Sequence, residues 1–398
     1  MSYELLTVDT VPGYVAARPA LARFGAVSRV REVGDGNLNL VFVAEAEHGG
    51  LVLKQALPYV RVDPTWPVTP ERNGIEGRAL RVHNRVAPGL VPAIHDADPD
   101  RHVIAIEDLS DHRVWRGALN EGLRHEGAAA DLGRYVAKAA FGTSVFGLGA
   151  KGHKAALAGA ANPELCEITE DLVFTEPYLA HEHNRVLPAN EADVAAYAGD
   201  PDVRAAVGAA KLAFMTHAEA LIHGDLHTGS VLVRDEPRST RAFDVEFAFY
   251  GPVGFDIGAL WGNYVLAAAR ALVRGDDGHA AWVLAQAAET WRGFADEFTA
   301  LWPERADPRV IDLDRYLATV YADAAPFAAA KAARRVIGFS RVSDIESLPE
   351  DLRARAIRAV LAAARLLLVG ETRGGETRGG EPKRLFDRVG QVLAEAGR

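Results

Sequence analysis

The chain has 398 residues, 49% of them hydrophobic and 25% charged, a composition typical of a globular protein long enough for two lobes. Its 54 acidic and 44 basic residues give a formal net charge of −10, which argues against nucleic-acid binding because phosphate neutralisation needs a positive face. A single cysteine, Cys166, excludes an intrachain disulfide and a cysteine-rich zinc site. No secretory signal or membrane-spanning run is visible, so we expect a cytoplasmic protein without a membrane or nucleic-acid partner.

The first hundred or so residues are rich in strand patterns and contain one predicted helix. Residues 31–45 read as strand, glycine turn and strand, and L-V-L-K-Q-A continues as a third strand that carries Lys54. Thr69 is a candidate N-cap, followed by a proline and Glu71, so a helix is expected from there. The run 102–110 predicts a buried strand that ends in an acidic turn near Glu107 and Asp108.

Beyond residue 109 the pattern becomes mainly helical. Alanine-rich helical segments are predicted at residues 127–141, 190–220, 257–272 and 314–338. Within 221–250, V-L-V-R and R-A-F-D-V-E-F instead read as two short strands that flank a turn. The sequence thus predicts an α+β chain with a small β-rich N-terminal lobe (1–109) and a larger helical C-terminal lobe (110–398) that contains a β-hairpin. The repeated E-T-R-G-G at 370–381 predicts a flexible segment.

The stretch H-G-D-L-H-T-G-S, residues 223–230, is the strongest chemical signal. It resembles the catalytic loop H-G-D-x-H-x-x-N of small-molecule kinases related to protein kinases, and implies their two-lobed, protein-kinase-like fold. A carboxylate directly after a tight glycine turn can accept or orient a hydroxyl proton during attack on phosphorus, which predicts Asp225 as the catalytic base. Ser230 stands where such kinases usually have a metal-binding asparagine. Metal binding by His223 and His227 is the alternative, and it is weaker because no third histidine or cysteine is close in sequence.

A kinase of this kind also needs groups that bind the phosphates of ATP. G-D-G-N-L-N, residues 34–39, can bring backbone N–H groups to phosphate oxygens, and Asn37 is predicted to contact ATP, although a plain hairpin turn fits the same residues. Lys54 lies where kinases place the lysine that pairs with the phosphates. Its predicted carboxylate partner is Glu76 on the following helix, with Glu71 as the alternative.

The segment expected to connect the two lobes is Glu107-Asp108-Leu109. In a two-lobed kinase the backbone of this segment offers C=O and N–H groups to adenine, so these three residues are predicted to contact ATP. An ordinary turn at the end of a strand is the alternative interpretation.

The segment Asp244-Val245-Glu246 carries the predicted metal site. Phosphoryl transfer needs Mg²⁺ to bridge the β- and γ-phosphates, and hard cations bind carboxylate oxygens. In an extended strand residues i and i+2 face the same side, so Asp244 and Glu246 are predicted to share one Mg²⁺ ion while Val245 turns inward. All three are predicted to line the ATP site. A solvated strand face is the alternative, but the neighbouring phenylalanines fit a surface strand poorly.

Taken together, these motifs resemble the 5-methylthioribose kinase family, whose fold is shared with aminoglycoside and choline kinases. The matching stretches lie between residues 34 and 346 and read G-D-G-N-L-N-L-V-F, L-K-Q-A-L-P-Y-V-R, H-G-D-L-H-T-G-S, D-V-E-F-A-F-Y-G-P-V-G-F-D-I-G and R-R-V-I-G-F-S-R-V-S-D-I-E. The family resembles this chain in two further features: a serine at the position of Ser230, and an Asp-x-Glu pair at the position of Asp244 and Glu246. The resemblance implies ATP-dependent phosphorylation of the 1-hydroxyl of 5-methylthioribose in methionine salvage, with Mg²⁺ as the metal and a homodimer as the assembly.

The same resemblance implies a consecutive arginine pair that binds the sugar, which falls on Arg334 and Arg335. Neighbouring residues on a helix point about 100° apart, so both reach one ligand only near a helix end, which Gly338 permits. A solvated helix face is the alternative for these arginines, and Arg341 is a further candidate for sugar contact. Asp225 is also expected to contact the sugar.

Three further residues lie in the helix predicted after the metal segment. Asp256 is predicted to brace the catalytic loop rather than to bind substrate. Trp261 and Tyr264 are candidates for the apolar pocket that a methylthio group requires.

Two other functions stay open at this point. One is another small-molecule kinase of the same fold, such as an aminoglycoside or choline kinase, although an aminoglycoside site should present acidic residues to its polycationic substrate. The other is a nucleotide-binding pseudokinase scaffold, which has no need of a catalytic base such as Asp225.

Overall fold

The computed structural model describes residues 4–34, 38–61, 63–370 and 382–398. Asn37 in the glycine turn and residues 371–381 of the predicted flexible segment lie outside these ranges.

The chain divides into two compact units, and the division differs from the predicted one. The first unit runs to His112 and also contains Phe243–Ala248; the second comprises Arg113–Ala242 and Phe249–Arg398. The sequence placed the boundary after residue 109 and all later residues in the second lobe. The two units differ from this division at both points. Phe243–Ala248 groups with the first unit because its side chains bond to residues there.

The first unit is built around an antiparallel sheet. Its elements are α1 (Val11–Ala17), β1 (Val27–Val33), β2 (Asn39–Ala46), β3 (Gly49–Ala56), β4 (Tyr59–Val60), β5 (Asp63–Pro67), α2 (Arg72–Val86), β6 (Ile94–Asp98) and β7 (Val103–Glu107). The sheet has the order β1-β2-β3-β7-β6, and β4 pairs with β5. The predicted strands around Lys54 and before the acidic turn are confirmed as β1, β2, β3 and β7, whereas α1 was not predicted.

The central position of β3 explains how Lys54 becomes buried. Lys54 is paired across the sheet with Val41 of β2 and Ile104 of β7. Because successive side chains of a strand point to opposite faces, Leu51 and Leu53 enter the core shared with α1, while Lys54 points to the face covered by α2.

Helix α2 begins at Arg72, so the prediction that Thr69 caps it is wrong. Glu71 occupies the N-cap position, and Thr69 contributes its backbone carbonyl, which accepts a bond from Arg72 N at 3.4 Å. The Arg72 guanidinium also donates to the carbonyls of Leu57 at 2.7 Å and Thr69 at 2.9 Å. These bonds fix the start of α2, and with it the direction of Glu76.

The second unit is mainly helical, as predicted. Its helices are α3 (Trp115–Asn120), α4 (Ala128–Thr143), α5 (Val145–Ala158), α6 (Pro163–Phe174), α7 (Glu191–Gly199), α8 (Pro201–Thr216), α9 (Val253–Val273), α10 (Asp277–Leu301), α11 (Leu313–Ile337), α12 (Ser343–Glu346), α13 (Glu350–Val369) and α14 (Pro382–Ala396). Its strands are β8 (Arg113–Val114), β9 (Ala220–Ile222), β10 (Val231–Arg234), β11 (Ser239–Ala242) and β12 (Phe249–Gly251). Within the described ranges, no helix is long and apolar enough to cross a membrane.

The predicted hairpin is confirmed as β10 and β11, but β11 is shorter than expected. The strands are antiparallel, from Val231 opposite Ala242 to Arg234 opposite Ser239. The extended run predicted through Phe247 stops because Asp244 adopts a left-handed backbone conformation, with φ 69°, and Val245–Phe247 forms a 3-10 turn. A left-handed residue cannot continue a strand, so the chain changes direction at Asp244.

Close packing of α9 against α11 fixes the position of the predicted arginine pair. A Cβ on Gly258 of α9 would lie 2.6 Å from Ala324 O of α11, so only glycine allows this approach. Helix α11 then ends at Ile337, with Gly338 as its C-cap. Arg334 and Arg335 therefore lie in the last turn, as the prediction required.

Candidate active site

In the first unit, Lys54 forms the expected ion pair. Lys54 Nζ donates to Glu76 Oε1 at 2.8 Å, and both side chains are buried. The alternative partner, Glu71, is an exposed residue at the start of α2. Burial raises the pKa of Glu76 to about 7, against the opposing effect of Lys54. Burial by itself lowers the pKa of Lys54, but the surrounding carboxylates outweigh it, so the lysine stays charged.

The two predicted metal ligands converge beside this ion pair. Asp244 contacts Lys54 Nζ, and carboxylate oxygens of Glu76, Asp244 and Glu246 lie within 4.8 Å of one another. The convergence does not come from strand alternation, as the sequence suggested, but from the left-handed residue and the 3-10 turn after it. Val245 is fully buried, as predicted.

Two residues that the sequence did not identify hold Glu246. Asn39 Nδ2 donates to Glu246 Oε2 at 2.9 Å, and Arg72 Nε lies 3.6 Å from the same oxygen. Nucleotide-binding loops often have the pattern G-x-G-x-x-G, and Asn39 stands in place of its third glycine after Gly34 and Gly36. That departure was the only signal for Asn39. The carboxyl groups of Glu76, Asp244 and Glu246 thus face two cations, Lys54 and Arg72.

This donor set fits Mg²⁺, because it consists of hard carboxylate oxygens. In the described ranges, two other groups of three residues bring possible metal-ligand atoms within 4.8 Å of one another, and both contain histidine. One group is Glu176, His181 and His183; the other is His217, Glu219 and Asp323. Imidazole nitrogen suits transition metals better than Mg²⁺. The pair His223 and His227 belongs to no three-ligand group among the described residues, which removes support from the metal alternative for the catalytic loop.

In the second unit, the catalytic loop is held by Asp256, as predicted. The Asp256 carboxylate accepts bonds from His223 N at 2.7 Å and from Gly224 N at 3.0 Å. Gly224 has φ 82°, a conformation that favours glycine. Asp256 is buried in the first turn of α9, so the loop is fixed to the helix that packs on α11.

Ser230 holds the other end of the same loop. Its Oγ accepts a bond from His227 N at 2.9 Å and lies 2.9 Å from the Asp225 carbonyl, to which it can donate. The ring of His227 lies alongside, with Nδ1 3.2 Å from Ser230 Oγ. In this chain the serine thus serves the geometry of the loop.

The Asp225 carboxylate is held between two side chains. Oδ2 lies 3.3 Å from His227 Nε2, and Oδ1 contacts Nζ of Lys331. Burial disfavours its charge, but Lys331, His227 and Arg335 outweigh this effect and hold the pKa of Asp225 well below its usual range. Burial also lowers the pKa of His227 to about 3, so this ring is neutral near pH 7. Its Nε2 must then carry the proton that faces the carboxylate, as inferred from the bonding partners.

Lys331, Arg334 and Arg335 form a buried cationic group on the last turns of α11. Their exposed fractions are 3%, 6% and 7%, so the solvated-face alternative for the arginines is wrong. Arg335 NH1 donates to Ser340 O at 2.6 Å, while Arg334 Nε is buried without a hydrogen-bond partner among the described residues. Burial lowers the pKa of both guanidinium groups. The sequence missed Lys331; its spacing of three and four residues from the arginine pair was the available signal.

Trp261 and Tyr264 do not line a pocket, which corrects the prediction for both. Each is fully buried in α9, a helix that is buried along nearly its whole length. Trp261 Nε1 donates to Ala287 O at 3.2 Å, and the Tyr264 hydroxyl bonds Thr290 Oγ1 at 3.0 Å. Both are core residues between α9 and α10.

In the segment predicted to contact adenine, Glu107 to Leu109, both acidic side chains accept hydrogen bonds from backbone N–H groups. Glu107 Oε2 accepts from Ala93 N at 3.0 Å, and Asp108 Oδ1 accepts from Ser110 N at 2.9 Å. Leu109 is buried. These bonds shape the turn after β7, and contact of its backbone with adenine stays a prediction.

Comparison with known proteins places these residues in a family. Residues 29–290 match the model of the phosphotransferase enzyme family. The chain is 39% identical to a methylthioribose kinase of Cronobacter sakazakii over 92% of this chain and 94% of the relative, and 40% identical to one of Citrobacter koseri over the same shares. Among solved structures it is similar to a choline/ethanolamine kinase family protein of Mesorhizobium loti, with a TM-score of 0.45 and 17% identity over 97% of this chain and 99% of that chain.

Proposed function

The chain belongs to the methylthioribose kinase family, and on this premise we propose that it transfers the γ-phosphoryl group of ATP to the 1-hydroxyl of 5-methylthioribose. The products are 5-methylthioribose 1-phosphate and ADP. The observation that carries the proposal is the environment of the Asp225 carboxylate. It contacts Lys331 of α11, a helix whose last turns also carry the buried Arg334 and Arg335.

Residues of the first unit act on ATP. Lys54, oriented by Glu76, pairs with the phosphates, and Asp244 and Glu246 would hold Mg²⁺. Bound there, the ion would neutralise negative charge on the phosphates of ATP. The convergence of the three carboxyl groups beside Lys54 supports this role.

Residues of the second unit act on the sugar. Asp225 orients the 1-hydroxyl and accepts its proton as oxygen attacks the γ-phosphorus. The braces from Asp256 and Ser230 support this role, because transfer depends on the position of the base. Arg334 and Arg335 bind sugar hydroxyls, which agrees with the buried Arg334 Nε that lacks a partner among the described residues.

The charge of the sugar site argues against an aminoglycoside substrate. Four cationic side chains, Arg116, Lys331, Arg334 and Arg335, interact with three carboxylates, Asp225, Asp256 and Asp344. This excess of positive charge would repel a polycationic substrate. A neutral sugar is not repelled, and the phosphate group that it gains is attracted.

Adenine contact by Glu107 to Leu109, ATP contact by Asn37, the homodimer and a cytoplasmic location are also predictions. Sedimentation velocity tests the assembly, since a homodimer doubles the chain mass of 42.7 kDa.

A coupled assay for ADP release tests the activity. We expect release with 5-methylthioribose, and little with ribose, methylthioadenosine or an aminoglycoside. Asp225→Asn should abolish turnover and leave ATP binding nearly intact, because the base belongs to the sugar side. Release that depends on the aminoglycoside, or that needs no acceptor, overturns the proposal.

A further inference from the structure

Lys331 is a buried lysine outside every motif described above, and it contacts the proposed catalytic base. We propose that Lys331 is a positioning residue of the transfer reaction, whose ammonium group holds the Asp225 carboxylate ionised and correctly aimed for the sugar hydroxyl. The inference rests on the proposed function and adds a residue to it.

The geometry leaves Lys331 little freedom. It lies on α11, four residues before Arg335, and its side chain is 3% exposed. Nζ contacts Asp225 Oδ1 and lies 5.0 Å from the centre of the Phe255 ring. A lysine so deeply buried is costly unless an anion pairs with it, and Asp225 is that anion.

This contact orients the base without blocking it. An ionised carboxylate offers about four lone-pair sites, of which Lys331 and His227 engage one on each oxygen. A lone pair therefore remains for the sugar hydroxyl. During transfer the hydroxyl proton passes to Asp225, the oxygen bonds to phosphorus, and the bond from phosphorus to the leaving oxygen of ADP breaks. Lys331 keeps its own proton throughout.

Charged groups on three elements face Lys331. Asp225 lies on the catalytic loop, Asp256 on α9, and Arg334 and Arg335 on α11 itself, while His227 beside Asp225 is neutral. Burial lowers the pKa of Lys331 to about 8, Asp225 opposes this effect, and the two arginines add to it.

The expected pH dependence follows from these charges. Below about pH 8 the ammonium is charged and holds Asp225; above it the proton is lost and the base loses its positioning partner. Although burial disfavours its charge, Asp225 is ionised below about pH 8, because the charged Lys331 holds its pKa well below the usual range. The kcat/KM for the sugar should therefore decline on the alkaline side.

The test compares Lys331→Arg, Lys331→Met and wild type, with Lys138→Met as the matched control. Lys138 Nζ pairs with Glu297 Oε1 at 2.6 Å on α4 and α10 and takes no part in the site. We expect Lys331→Met to lower kcat at pH 7 about 10²-fold, the scale at which a misplaced catalytic group acts, with an unchanged KM for ATP. Lys331→Arg should keep most of kcat and lose the alkaline decline, because arginine stays charged. Thermal unfolding of each variant verifies that it is folded.

The outcomes distinguish a failure of the proposed kinase activity from a failure of the role of Lys331. If the wild type does not phosphorylate the sugar, the proposed function fails and the inference falls with it. If the wild type is active but shows no alkaline decline near pH 8, or Lys331→Met keeps its kcat, only the role of Lys331 is overturned. If Lys331→Arg keeps the wild-type alkaline decline, another group titrates and the inference is again wrong.

Discussion

Replacing Asp256 by asparagine tests whether the catalytic loop is held from α9. Asparagine keeps one of the two acceptor oxygens that bond His223 N at 2.7 Å and Gly224 N at 3.0 Å, and turns an NH₂ group toward the other donor. A charge-assisted hydrogen bond contributes about 1.5–3 kcal/mol, and a buried donor left without an acceptor costs about 1–3 kcal/mol. Because burial raises the pKa of Asp256, removing its charge offsets part of this loss. We therefore expect the free energy of unfolding to fall by about 2 kcal/mol.

The same substitution should affect catalysis more than stability. A shift of the loop by about 1 Å can cost about 10²-fold in rate, so kcat should fall by that factor while the KM for ATP stays unchanged. Urea denaturation and coupled kinetics measure the two effects. Asp312→Asn is the control: Asp312 caps α11 by accepting from Arg315 N at 2.8 Å, and asparagine caps a helix equally well. If Asp256→Asn unfolds and turns over like the wild type, the loop is not held in this way.

Three further substitutions test the metal site, the sugar site and the helix packing. Glu246→Gln should raise the Mg²⁺ concentration needed for half-maximal activity at least about tenfold, because a carboxylate ligand is lost; an unchanged requirement removes Glu246 from the metal site. Arg335→Met should raise the KM for methylthioribose about 10–100-fold, the equivalent of one charge-assisted hydrogen bond, and leave the KM for ATP unaltered. Gly258→Ala should lower the free energy of unfolding by about 1–3 kcal/mol because its Cβ would meet Ala324 O at 2.6 Å, whereas Gly208→Ala in α8, with nothing within 4 Å, should be neutral or stabilising.

The parts of the fold that follow from local pattern could be predicted from the sequence. Strand alternation and glycine turns located β2 and β3, and the position of Lys54 on β3 made Glu76 its partner. The place of Arg334 and Arg335 in a last helical turn followed from Gly338. These features depend on residues that are close in the chain.

Features that depend on distant contacts could not be predicted in the same way. The left-handed conformation of Asp244 accompanies a contact with Lys54, 190 residues earlier in the chain. Trp261 and Tyr264 looked suited to a pocket, yet α9 is buried on all sides by its neighbours. The spacing of Lys331 from the arginine pair indicates a shared helix face, but its contact with Asp225 could not be predicted because Asp225 lies 106 residues earlier in the chain.

The position of the transferred phosphate tests the central claim most directly. The product formed from ATP and 5-methylthioribose can be examined by ³¹P nuclear magnetic resonance with coupling to the sugar protons. We predict one new phosphate signal coupled to the anomeric proton, as phosphorylation of the 1-hydroxyl requires. A signal coupled to the proton at carbon 2 or 3, or the appearance of ADP and free phosphate without a sugar phosphate, would contradict the account.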